Sequence, residues 1–320
     1  MSGLAVAGAG LTALGAGTAS AGVSHEPAIS AAEAARMCGL TAEQPRGPYY
    51  IDGMLRRRNV VEDRVGVPLT LNLRVIDGRT CRPLQNVAVE IWHCDAEGVY
   101  SGYTAIGPGD GPIGPPPGGA PGGGVPPTGP PPSGRPGGVP PTDDLTYLRG
   151  LQLTNRQGMI TFQTIVPGWY VGRAVHIHTK VHTDGTATAT GYTGGRSCHT
   201  GQLYFEEALV TRLHQMDPYR RNDTVRTTLE DDFIYADTGA PGGLLDARYD
   251  PARLDRGVSA RLTLGVNPEA TNNGDRQLGP PGLPATPTAT PTGTPTATPP
   301  GTPTGIPTGT PTPSSTPPVG

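Results

Sequence analysis

Residues Tyr170 to His178 read YVGRAVHIH, which brings a tyrosine, an arginine and two histidines into one short stretch. In an extended strand successive side chains alternate, so His176 and His178 share a face while Ile177 points the other way. A rise of about 3.3 Å per residue sets their Cα atoms about 6.5–7 Å apart, close enough for two imidazole nitrogens to meet on one ion. Neutral imidazole is a common metal ligand. The strand carries no Asp, Glu or Cys that would complete a zinc or non-haem Fe(II) site. What lies near is tyrosine: Tyr170 just before the histidines, and Tyr100 at the end of EIWHCDAEGVY. Phenolate is a hard, anionic donor with an ordinary pKa of about 10, so only a strongly Lewis-acidic centre holds it deprotonated at neutral pH. Two phenolates and two neutral imidazoles suit Fe(III): they balance two of its three charges, and a hydroxide can balance the third.

Strands must carry these groups. LTLNLRVID (Leu69 to Asp77) alternates, with Leu69, Leu71, Leu73 and Val75 on one face, and VAVEIWH (Val87 to His93) puts Val87, Val89 and Ile91 on one face. MITFQTIV, HIHTKVH, QLYF and ARLTLGV complete the set, most of them separated by Gly, Pro, Asp or Asn. Many short strands with little helical period predict an all-β domain, a sandwich or barrel. A short helix is expected within Ile29 to Leu40, ISAAEAARMCGL.

Composition divides the chain of 320 residues, because many of its 48 Gly and 38 Pro fall in two segments. Residues 105–142 are mostly Gly and Pro, too poor in apolar side chains to offset the cost of ordering, and are expected to be a disordered insert. Residues 279–320 are a Thr/Pro-rich tail, expected to be extended and polyproline-like. The body, residues 22–278, is expected to be the catalytic domain. Residues 1–21 are small and apolar and end in Ala19-Ser20-Ala21, the pattern of an export signal, here without its basic region. Cys38, Cys81, Cys94 and Cys198 fit an oxidising compartment and up to two disulfides, with three full pairings open. The chain is therefore expected to be exported, secreted or held at the cell surface. A formal charge of -3 without a basic stripe speaks against a nucleic-acid partner, and no apolar run is long enough to span a membrane.

Several motifs together, GPYYIDG, PLQNVAVEIWHCDAEGVYSGY, YLRGLQLTNRQGMITFQTIVPGWYVGRAVHIHTKV and CHTGQLYF, resemble the intradiol ring-cleavage dioxygenases, in particular exported single-chain relatives of protocatechuate 3,4-dioxygenase. The resemblance runs from about Cys38 to Asn267. It implies a β-sandwich and an Fe(III) centre held by Tyr100, Tyr170, His176 and His178. It also implies cleavage of a catechol-type substrate by O2 to a muconate-type dicarboxylic acid. Arg173 matches the family's active-site arginine and Gln202 its active-site glutamine. Tyr170 would double as the base that takes up a catechol proton, Arg173 would stabilise charge on the activated ring, and Gln202 would hydrogen-bond near it. No organic cofactor is implied.

Other residues carry plainer expectations. Trp92 reads as packing, His93 as a non-ligand, and His199 as structural. Tyr49 and Tyr50 would form either a lid over the pocket or only a turn, the resemblance favouring a place near the pocket; Arg56 to Arg58 would be a solvated charge run, and Asn222 opens a glycosylation sequon. Two competing readings are a non-catalytic β-sandwich binding module on a stalk and a metal-dependent hydrolase. The first does not require two tyrosines beside His-x-His, and the second wants a carboxylate base in the cluster.

Overall fold

The computed structural model describes residues 38–110, 139–237 and 243–274. Among the described residues eight strands make up the fold: β1 (Pro68–Asp77), β2 (Ala88–Trp92), β3 (Arg149–Leu153), β4 (Met159–Ile165), β5 (His176–Ala187), β6 (Tyr192–Tyr204), β7 (Asp246–Arg248) and β8 (Val258–Val266). Two short helices, α1 (Glu207–Leu213) and α2 (Phe233–Asp237), follow β6. The strands form two four-stranded sheets, in the orders β4-β1-β8-β7 and β3-β2-β5-β6. Only the β1–β8 pairing is parallel among the named strands. The expected all-β sandwich is the architecture observed.

The two sheets differ in what covers them. β1 alternates between exposed and buried, with Leu69, Leu71, Leu73 and Val75 inside, as a strand with one solvated face should. In β2 all five residues are buried. Val89 and Ile91 join Ile177, Val181 and Leu203 in the main core, against Leu71, Phe162 and Leu264 of the first sheet. Ala88 and Trp92, on the opposite face, pack into a second cluster with Leu151 and the tyrosines Tyr49, Tyr50, Tyr100, Tyr103 and Tyr170. The outer face of the second sheet is thus roofed by loops. A one-residue slip of β5 would turn His176 and His178 into the apolar core and expel Ile177, so burial of Ile177 and Val181 fixes the register of the histidines.

Six strands fall on predicted segments, while β3 and β7 went unread. β5 and β6 run beyond HIHTKVH and QLYF as a long hairpin whose outer half is exposed. One disulfide joins Cys38 to Cys81, and Cys94 and Cys198 are free and buried. The expected helix falls almost wholly outside the described residues, as do the N-terminal signal and the Thr/Pro tail. Of the expected insert only the two ends are described, and both are tied to the domain: Val171 N donates to Pro108 O (2.8 Å) and Thr142 N to Gly102 O (2.7 Å). Among the described residues no helix is long and apolar enough to cross a membrane.

Candidate metal centre and active site

Sheet register builds the floor of the site. One rung across all four strands reads Arg149, Trp92, His178, Gln202, and two positions along, on the same face, His176 stands opposite Tyr204. All six side chains are buried. Trp92 stacks on His178, with ring centroids 4.9 Å apart and planes 4° from parallel. Gly47 lies nearest the Cε1 atom of the same ring: a Cβ there would come within 3.0 Å of His178 Cε1, and its φ of +71° also favours glycine. His176 Nδ1 donates to Ala174 O (2.7 Å), which leaves Nε2 of a neutral ring as a bare lone pair. That Nε2 lies 3.0 Å from His178 Nε2 and 3.2 Å from the Tyr170 hydroxyl. Tyr100 completes the group, its ring 5.8 Å from that of Tyr170 and 6.3 Å from that of His178. Its hydroxyl faces that of Tyr170 without forming a good hydrogen bond.

The electrostatics favour neutral donors until a cation arrives. Burial, helped by Arg173, pulls the pKa of His176 down to about 3, and burial beside His176 holds His178 well below the ordinary value. Burial pushes Tyr170 up to about 12, partly relieved by Arg173, and Tyr100 well above 10. Among the described residues the buried Tyr100 hydroxyl and His178 Nδ1 have no hydrogen-bond partner. Metal–imidazole bonds of about 2.0–2.1 Å, as on zinc, would put two nitrogens at right angles about 2.9 Å apart, so the spacing of the histidine pair fits one ion. Among the described residues no group of three or more His, Cys, Asp or Glu side chains could hold a metal. A carboxylate-assisted hydrolase centre would need a carboxylate beside the histidine pair, whereas here the pair stands with two tyrosines.

Arg173 and Gln202 meet beside this cluster. Arg173 Nη2 donates to Gln202 Oε1 and, at 3.3 Å, to the Tyr204 hydroxyl, while Gln202 Nε2 donates to Pro45 O (2.9 Å). The Arg173 Nε donates to Asp232 Oδ2 (2.9 Å) in a fully buried ion pair. Burial disfavours the guanidinium charge, but Asp232, together with Tyr170 and Tyr204, outweighs it and holds the pKa above the ordinary value. Asp232 and Tyr204 were not singled out from sequence. The motif GPYY belongs to the site: Tyr49 stacks on Tyr100 at 4.5 Å and meets Tyr170 edge-on at 5.9 Å, and Tyr50 packs on Trp92 at 5.0 Å.

The remaining candidates sort by their partners. His93 is a satisfied core histidine, bonded through Nδ1 to Cys94 O (2.8 Å) and through Nε2 to Thr164 Oγ1 (2.7 Å). His199 pairs with Glu43 at 3.1 Å, away from the donor cluster. Arg56 and Arg58 are exposed, but Arg57 departs from a solvated run. It donates to the carbonyls of Arg149 (2.9 Å) and Thr146 (2.6 Å) and to Glu62 (2.7 Å), bracing the strand that carries Arg149. Asn222 is buried and its amide donates to Trp169 O (2.7 Å), so the folded protein hides the sequon.

No protein-family model matches the chain, and no curated protein does. Solved structures do match. An intradiol ring-cleavage dioxygenase from Tetranychus urticae is 30% identical, with a TM-score of 0.58 over 74% of this chain and 98% of that one. A second dioxygenase crystal structure is also 30% identical, with a TM-score of 0.57 over 74% of this chain and 98% of its own. With a two-sheet sandwich, a buried tyrosine–histidine cluster and a relative matched over nearly its whole length, this chain belongs to the intradiol ring-cleavage dioxygenases.

Proposed function

We propose that this dioxygenase cleaves a catechol-type aromatic between its two hydroxylated carbons, using Fe(III) and O2 and yielding a muconate-type dicarboxylic acid. The observation that carries the reading is that His178 Nε2 and the Tyr170 hydroxyl both lie within 3.2 Å of His176 Nε2, with the Tyr100 ring against them. Tyr100, Tyr170, His176 and His178 would hold the ion. When bound, Fe(III) supplies Lewis acidity that keeps the phenols ionised and a route for electron density between substrate and O2.

The chain's own groups do the rest. The hydrogen bond to Ala174 O fixes the tautomer of His176 and so aims its Nε2 lone pair in advance, and Trp92 holds the plane of the His178 ring. The Tyr170 hydroxyl oxygen, buried with a high intrinsic proton affinity, is suited to take a proton from a catechol hydroxyl. Arg173 is a permanent cation held by Asp232, positioned to stabilise negative charge that develops on the ring. Gln202 accepts from Arg173 and completes that wall. The tyrosines Tyr49, Tyr100, Tyr103 and Tyr170 line the roof with aromatic surface suited to a flat ring and exclude water from the reacting carbons. The test is turnover of a catechol panel by iron-loaded protein under isotopically labelled O2. A ring-opened diacid carrying label from O2 supports the reading, while a hydrolysed or unchanged substrate sinks it.

Export is part of the proposal. Ala19-Ser20-Ala21 gives the cleavage pattern, and the Cys38–Cys81 disulfide suits an oxidising compartment. Residues 22–278 would then be the mature catalytic domain and 279–320 its stalk. An N-terminus of the secreted protein at residue 22 supports this; an intact Met1 in the cytosol contradicts it.

A further inference from the structure

The carboxylate of Asp232 accepts four hydrogen bonds and is entirely buried. Oδ2 accepts from Arg173 Nε (2.9 Å) and from Ala174 N (2.7 Å). Oδ1 accepts from Ile234 N (2.9 Å) and Tyr235 N (3.0 Å) at the start of α2. Each bond leads to the active site. Arg173 is the cation that reaches Gln202 and Tyr204. Ala174 is the residue whose carbonyl accepts from His176 Nδ1. The α2 segment carries Phe233, whose ring centroid is 6.0 Å from the Arg173 guanidinium, and Tyr235, whose ring is 4.9 Å from that of Tyr204. A buried ion pair is weak support for stability, since apolar replacements often do as well, so this constellation argues for geometry.

We propose that Asp232 is a positioning residue of the active site, a single carboxylate that sets both the Arg173 guanidinium and the orientation of the His176 ring. This rests on the function proposed above for Arg173 and His176. The carboxylate touches neither donor cluster nor ring directly. It acts through Arg173 on charge in the substrate, and through the backbone of Ala174 on the lone pair of His176. An amide cannot replace it, because an asparagine offers one accepting oxygen and one donating nitrogen to two pairs of donors.

Two arms test this on Asp232→Asn in the full chain. In the iron-loaded arm, kcat on a catechol should fall by about 10- to 100-fold, as for other groups that orient active-site residues, with KM changed much less. In the Arg173→Ala background the same change should cost far less than that factor, because its route to the ring is already gone. Unchanged kcat, or losses that simply multiply, would overturn the proposal. In the metal-free arm, the Nδ1 proton of His176, observed by NMR, should exchange faster with water in Asp232→Asn than in wild type or Arg173→Ala. Unchanged protection would overturn the His176 half. This arm decides the role of Asp232 even if wild type turns over no catechol, which would count against the proposed function instead. Should Asp232→Asn not fold, Asp232→Glu keeps the buried charge, displaces it by one methylene, and is expected to change both readouts in the same direction.

Discussion

Gly47 offers a way to move one of the proposed metal donors, His178, without touching it. Its φ is +71°, and a Cβ would meet His178 at 3.0 Å from Cε1 and 3.4 Å from Nε2. Ordinary carbon contacts lie at about 3.5–4.0 Å, so in Gly47→Ala the ring must shift by roughly half an ångström. It has little room, because Trp92 stacks 4.9 Å away on it. The matched control is Gly194→Ala: φ is +69°, and nothing lies within 4 Å of its would-be Cβ. Both variants pay the left-handed strain of about 1–2 kcal/mol. At about 2–4 °C per kcal/mol for a domain of this size, both should lose about 2–8 °C in Tm. Only Gly47→Ala should also bind Fe(III) about 10-fold or more weakly, as when other ligand-orienting contacts are lost. Competitive chelator titration and thermal melts on the two proteins make the comparison. If Gly47→Ala held iron as tightly as Gly194→Ala, then His178 would not be a donor whose placement matters, and the reasoning fails.

Other expectations follow from the same geometry. His176→Ala and His178→Ala should each strip most iron, whereas Arg173→Ala should keep it and slow turnover by about 10²–10³, the usual loss of one electrostatic contact to developing charge; metal analysis beside oxygen uptake separates the two classes. Cys38→Ser should lower the unfolding free energy by about 2–4 kcal/mol, since the disulfide closes a loop with a sequence separation of 43, and denaturant unfolding reads the loss. Burial holds His93 at about 4, His176 at about 3 and His178 well below 6.5. Unfolded histidine titrates near about 6.5, so above that pH all three are neutral in both states, and below it the unfolded chain takes protons that the folded chain refuses. Metal-free protein should therefore lose stability as pH falls from about 6.5 toward about 4; a urea midpoint that stays flat between about pH 7.5 and 5 would show that these rings are not buried neutral.

Strand alternation made much of this fold legible before any coordinates. The period of Leu69, Leu71, Leu73 and Val75 announces a half-buried strand, and His176-Ile177-His178 shows both the shared face and the apolar residue behind it. RGLQL and DAR could not be read this way: β3 carries a buried arginine at its first position, and β7 is only three residues long. The ligating role proposed for Tyr100 rested on donor type and then on family resemblance, because nothing in local spacing brings a residue beyond the end of β2 to one in the turn before β5. Asp232 was hidden for a different reason. In EDDFIY it reads as one more solvated acid, and its partner Arg173 is 59 positions away in sequence. Asn222 and Arg57 show the same limit: a sequon and a basic run describe side-chain chemistry, while burial against Trp169 and against the carbonyl of Arg149 is decided by tertiary packing.

The central claim is a single Fe(III) held by Tyr100, Tyr170, His176 and His178 and open to a catechol. The visible spectrum of Fe(III)-loaded protein, recorded before and after anaerobic addition of catechol, tests it most directly. Phenolate donors should give a red to burgundy charge-transfer band that changes when catechol binds, and Tyr100→Phe and Tyr170→Phe should each alter the starting band. A colourless protein carrying a full equivalent of Fe(III), or a band indifferent to both tyrosines and to catechol, would contradict the account.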